Sequence, residues 1–374
     1  MIWLMSKKRA LVSLMLAACG SSHSTTDGGG GGGGGGDGGA DASLSCTLPE
    51  ISLKVATLSG CDVAGTANGP RDYGLFSNPV NVALGLSGVA YIADFDDSLI
   101  RKVETDGTVT TLVSSPTFVR PFGLQLSSTG TLWVETDGDD QGNRSITSGT
   151  IWQVDPSTGT ATVVIRYIGR PRGMALLGSG QIALADYEHH VIELLDPSQS
   201  PPTLTVLAGM MDVPGYAVGT GTAAQFNQPW DIALLQTGDL AVSDAENHLI
   251  RNVTLSGVVT DIAGTPGVLG TADGSLAIAS FDEPKGLTTD EHGALYISEG
   301  MGHDVRKLVV GVGGSVQTVA GSGTMGWMDS DDPMQAQFDG VEGLDVSADG
   351  TRIVVADGNV GDGSPFNHVR VISP

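Results

Sequence analysis

From Phe76 onward the chain repeats one pattern six times. The anchor of each copy is Pro79, Pro121, Pro171, Pro229 or Pro284, with Val341 in the sixth. Three residues earlier stand Phe76, Phe118, Ile168, Phe226, Phe281 and Phe338. Nine residues after each anchor comes a glycine: Gly88, Gly130, Gly180, Gly238, Gly293 and Gly350. A glycine at that spacing suits a tight hairpin turn with positive φ. The segments beside it, such as Val89-Ala90-Tyr91-Ile92-Ala93 and Arg352-Ile353-Val354-Val355, are rich in β-branched and apolar residues and read as strands. The second strand of each copy is expected to end near an acid: Asp94, Asp137, Asp186, Asp244, Glu299 and Asp357. A third strand (Leu99 to Val103 in the first copy) and a fourth (Val109 to Leu112) follow. No amphipathic helical stretch of useful length interrupts them.

Four short antiparallel strands per unit, repeated six times, predict an all-β six-bladed β-propeller. The last copy carries a third strand, His368 to Ile372, but no fourth, while Leu53 to Gly60 reads as a strand that precedes the first copy. The N-terminal strand is therefore expected to complete the last blade, which removes two open sheet edges. The repeat resembles the NHL-repeat family. The family's own tripeptide stands at Asn247-His248-Leu249, and its linker style at Ala263-Gly264 through Gly270, Asp273-Gly274, Ala279 and Phe281. The resemblance spans residues 51–374. It implies a propeller that in many members is a binding platform and in a few carries an enzyme site, so function has to be argued from the site.

The N-terminal segment reads differently. Lys7-Lys8-Arg9 precedes a short apolar run ending in Leu16-Ala17-Ala18-Cys19. Residues 1–19 are read as a lipoprotein signal peptide with a lipobox and Cys19 as the lipidated residue, because the run is too short to span a bilayer. Residues 20–45, glycine at 28–36, 38 and 39, cannot bury apolar surface and are read as a disordered tether. Residues 46–374 are assigned to the propeller. The expected location is the bacterial cell envelope, lipid-anchored to a membrane on its periplasmic or extracellular face. Export permits a disulfide between Cys46 and Cys61. The net charge of −24 repels phosphate backbones and argues against nucleic-acid partners.

Residues recurring in register are assigned to the fold. Asp94 and Arg101, Asp244 and Arg251, and Glu299 and Arg306 each stand seven apart and are expected to pair across a hairpin. Copy three departs from this, with Asp186 opposite Glu193 in a loop that also holds Glu188, His189 and His190. His190, His248 and His303 are aligned, which would fan them apart around a ring instead of gathering them on one zinc. The sequence contains no HExxH, GxSxG, P-loop or CxxC pattern, so no catalytic residue, metal or cofactor is assigned.

The position after each anchor varies: Val80, Phe122, Arg172, Trp230, Lys285 and Glu342. Variation on a fixed scaffold is where specificity is written. The ligand-binding candidates are therefore Asn81, Phe122, Arg172, Trp230, Asp231, Lys285 and Glu342, at the mouth of the central channel. Alternatively these side chains pair with one another and plug it. Long loops at 138–149 and 358–367, and the linkers 209–225, 264–280 and 321–337, are expected on the same face. The function expected is a surface-tethered, noncatalytic binding propeller, monomeric, for a protein, peptide or glycan ligand. The alternative is a metal-dependent propeller enzyme, lactonase- or lyase-like.

Overall fold

The computed structural model describes residues 46–358 and 366–374. The expected signal peptide, tether and lipidated Cys19, and most of the long loop of the sixth copy, lie outside them. The described chain is all-β, apart from three single 3-10 turns. Six antiparallel sheets are present, one per copy. Blade one comprises Pro79–Leu84, Ala90–Asp94, Leu99–Val103 and Val109–Ser114, hydrogen-bonded in chain order. The innermost strands of the next five blades are Pro121–Leu126, Pro171–Leu176, Pro229–Leu234, Pro284–Thr289 and Gly340–Val346. Each contacts the next, and Pro79–Leu84 contacts Gly340–Val346, so the ring closes.

Closure is made as the sequence predicts. Val55–Gly60 pairs antiparallel with His368–Ile372 and becomes the outer strand of blade six. The repeated residues explain the unit. The hairpin glycines sit at φ between 71° and 86°, where a side chain would be strained. The repeated Phe76, Phe118, Phe226, Phe281 and Phe338 are at most 1% exposed and pack between blades. Each inner strand shifts register just after its anchor, a bulge that turns its first residues toward the axis.

Two sequence expectations are corrected. In blade two the residue opposite the anchor is Thr136, not Asp137 (Pro121 pairs with Thr136 as Pro79 pairs with Asp94). The linkers do not stay on the mouth face. The one before blade four runs down the outer edge, where Gly219–Thr220 pairs with Val258 and Val259 near the opposite end, then returns to Phe226. Gly274–Ser275 does the same against Ser315 and Val316. Among the described residues no helix is long and apolar enough to cross a membrane.

Candidate functional site

The conserved part of each unit is spent on the scaffold. Arg101, Arg251 and Arg306 are fully buried and bond the acid seven residues before them at 2.8–3.1 Å. Arg370 does the same with Asp357 at 3.0 Å, a pair that the long loop of blade six hides from a fixed spacing. Each guanidinium then reaches the linker that precedes its blade. Arg101 donates to Leu75 and Ala67 carbonyls, Arg251 to Ala217, Arg306 to Ser280 and Arg370 to Gln337 and Met328. The pair is thus a clamp on a long linker. Blades two and three follow short connections and have no such arginine; Trp152 donates to Thr136 at 2.8 Å in the first, and Asp186 bonds His189 at 2.6 Å in the second.

The aligned histidines are also structural. Their residues take a left-handed φ of 52–58°. Nδ1 of His190 accepts from the Gln228 amide of the next blade at 3.0 Å, and that of His248 from Glu283 at 3.4 Å. His303 Nδ1 meets the Asp339 carbonyl. Ser98 serves blade two through Arg120 N, and Asn367 accepts from Asn78 N across the ring closure. Among the described residues no cluster of three or more His, Cys, Asp or Glu could hold a metal ion.

The channel mouth is built from the variable positions. Lys285 Nζ lies 3.0 Å from Glu342 Oε1 and 4.4 Å from the centre of the Trp230 ring. Trp230 meets Phe122 edge-on at 5.7 Å and Tyr187 at 5.1 Å. The Arg172 guanidinium covers Phe122 at 4.1 Å and bonds Asp137 at 2.9 Å. Five of the six side chains that the sequence places at the mouth are therefore largely satisfied by one another and by Asp137, and the sixth, Val80, is buried beside them. They close the channel with a polar and aromatic floor. Trp230 Nε1, shielded from solvent, has no acceptor among the described residues.

Asn81 and Asp231 lie deeper and hold backbone. Asp231 accepts from the amides of Ile232 and Leu287, tying blade four to blade five, and Asn81 accepts from Val82. A Cβ on Gly173 would collide with Asp231, and one on Gly343 with Asn81, which is why glycine stands there. Burial pushes the Asp231 carboxyl up to about 7.

Several mouth residues were not singled out from sequence. Phe95, Asp137 and Tyr187 occupy one position, just past the strand end. Asp137 is released from the scaffold by the one-residue offset and binds both Arg172 and Arg170, the latter through two bonds at 3.1 and 2.8 Å. The available signal was the spacing of six from hairpin glycine to strand end, which points to Thr136. Glu135 stands where the other blades carry Ala93, Ala185, Ser243, Ser298 and Ala356, and is fully buried. Burial, then the charge of Asp137, raises its carboxyl well above the usual range. Cys46 and Cys61 have Cα atoms 6.0 Å apart, within the range a disulfide spans.

The family model for the NHL repeat matches residues 226–251. NHL repeat-containing protein 2 of Homo sapiens is 24% identical over 320 residues, 79% of this chain and 39% of that protein. The chain spans well under half the length of the curated relatives it matches. Among solved structures, an auxiliary nutrient binding protein from Bacteroides ovatus superposes with a TM-score of 0.65 at 20% identity, over 86% of this chain and 76% of that one. A gluconolactonase from Xanthomonas campestris superposes at 0.53 and 16% identity, over 88% and 96%. At these identities the likeness is one of fold. Residues 226–251 carry the NHL repeat, and with the same unit laid six times around a closed ring the chain is an NHL-type six-bladed β-propeller.

Proposed function

We propose that this chain is a noncatalytic binding propeller of the bacterial cell envelope, tethered through lipidated Cys19 and residues 20–45, that holds a glycan, peptide or protein ligand on its mouth face. The observation that carries the reading is the mouth itself. Position-matched residues that differ in every blade converge there into one floor of Arg172, Phe122, Trp230, Lys285 and Glu342. Aromatic faces with a few oriented polar groups are the usual make-up of a small-ligand site. The nutrient-binding function of the Bacteroides ovatus propeller is consistent with this reading.

The competing reading, a metal-dependent lactonase- or lyase-like enzyme, fits the residues less well. Arg172 and Lys285 place positive charge over the axis, and the axial Asp231 and Asp345 already accept amides from Ile232, Leu287, Leu84 and Val346. The test is a screen of the full chain against saccharides and peptides by tryptophan fluorescence, repeated with Trp230→Ala and Arg172→Gln. Saturable binding that weakens at least ~10-fold in both variants (about 1.4 kcal/mol), with the ligand recovered intact, is expected. Turnover of the bound compound, abolished by Arg172→Gln, would overturn the noncatalytic assignment.

A further inference from the structure

Beside the mouth, between blades two and three, lies a cleft of about 360 Å³ bounded by Asp137, Arg144, Ser145, Ile146 and Arg170. That volume is enough for a sugar-sized molecule. The chain holds 42 acids against 18 lysines and arginines, yet four of those bases gather here: Arg120, Arg144, Arg170 and Arg172. Arg170 and Arg172 share the one carboxylate of Asp137. Arg170 also approaches Glu188 at 3.7 Å, and Arg120 is matched by Asp96 at 3.3 Å. Arg144 has no carboxylate partner among the described residues. Glu135, nearby, is fully buried and is not a partner of Arg144; burial, then the charge of Asp137, pushes its carboxyl well above the usual range. Four guanidinium groups thus meet three carboxylates around the cleft, and Arg144 is the one left over.

The loop carrying Arg144 is built to hold it there. Asp139 accepts from the amides of Gln141 and Asn143, and Gly138 bridges to Arg144 through the backbone. Ser148 Oγ ties the loop to the Asp137 carbonyl at 2.6 Å and accepts from Ser145 N at 2.7 Å. Partial desolvation, then the charge of Arg120, with Arg170 adding to it and Asp137 and Asp96 opposing, hold the Arg144 guanidinium below its ordinary value. A bound anion relieves that repulsion.

We propose that this cleft binds the carboxylate or phosphate of a sugar-sized organic anion, with Arg144 and Arg170 on the anionic group and the mouth floor beneath its body. The proposal rests on the binding reading above and names its ligand class. A guanidinium recognises either oxyanion through paired hydrogen bonds. The test is calorimetric titration of the full chain with galacturonate, glucose 6-phosphate, galactose and inorganic phosphate, at low and high salt. At least one charged sugar should bind at least ~10-fold tighter than galactose, and galacturonate against glucose 6-phosphate decides between carboxylate and phosphate. Arg144→Gln, on an exposed loop, should abolish that preference, Arg144→Lys should keep part of it, and Arg352→Gln at the opposite face should leave it intact. Equal binding of galactose, no effect of Arg144→Gln, or inorganic phosphate binding as tightly as either charged sugar overturns the proposal. A neutral ligand lost with Trp230→Ala but indifferent to Arg144→Gln overturns it while leaving the binding reading standing. No Trp230-dependent binding of any compound overturns both.

Discussion

Glu193 occupies a position that in four other blades belongs to a buried arginine. Its side chain is buried, and burial, then the charge of Asp186, pushes its carboxyl up to about 8. The sign of the consequence follows from linkage. The folded value lies above the unfolded one, so the protonated form stabilises the fold below pH ~4.3 and this contribution is lost as pH rises through about 8. Glu193→Gln, which keeps the shape and removes the charge, should raise the melting temperature at pH 9 and change it little at pH 5. The gain at pH 9 should be at most about 5 kcal/mol, about 1.4 kcal/mol for each pH unit between ~4.3 and about 8. Equal melting shifts at both pH values in thermal denaturation would show that Glu193 ionises freely in the fold. This exchange was legible in sequence as a break in a spacing. Its physical reason was not, because the sequence shows that the connection before blade three is short but not that the arginine of the other blades serves to hold a long one. The acid of blade two was misplaced by one residue for a similar reason: Thr136 fills the scaffold position with a hydroxyl, so the neighbouring Asp137 looked like the missing carboxylate.

At the scale of the element, the linker and the arginine are one device. The linker before blade four leaves its edge, pairs at Gly219–Thr220 and returns, and along this path its carbonyls face Arg251. Arg251 in turn bonds Asp244 at 2.8 Å and lies in an ion pair with Asp261 at 2.6 Å. The linker's length and glycine content were readable from the sequence, but its path was not, since that path depends on hydrogen bonds to a residue some 30 positions later. Arg251→Met removes the partner of a buried carboxylate while keeping most of the volume. The expected loss is about 3–5 kcal/mol, the cost of leaving a buried charge unpaired. The damage should start locally: limited proteolysis should cut first within 209–225, and hydrogen exchange there should quicken before the blade itself opens. The double variant Asp244→Asn, Arg251→Met should recover part of the stability. Cleavage patterns unchanged from wild type would separate the arginine from the linker.

For the whole molecule the weak point is the seam. Six blades form a closed ring whose last member is assembled from the two ends of the propeller, Val55–Gly60 beside His368–Ile372. All of Val55 to Gly60 is buried, and Thr57 is fixed by Asp329, which also receives Arg370. This seam was readable from the missing fourth strand, because an edge strand left open is a liability that a closed ring removes. The outlying Cys46 stands next to Cys61 just past the strand, and a bridge between them, 15 residues apart, would hold the strand in place while the ring forms. In the loop-entropy picture such a bridge contributes about 3 kcal/mol, which for a domain of this size corresponds to roughly 4–5 °C in melting temperature. Cys46→Ser and Cys61→Ser should each lower the melting temperature by that amount under oxidising conditions, and reductant should lower the wild type to the same point without further effect on either variant. The loss should appear as faster unfolding that begins with exchange of the Val55 to Gly60 amides, since those amides give way before the five blades made from continuous chain. A wild-type melting temperature that does not respond to reductant would mean that strand pairing and the Asp329 contacts hold the seam without a covalent link.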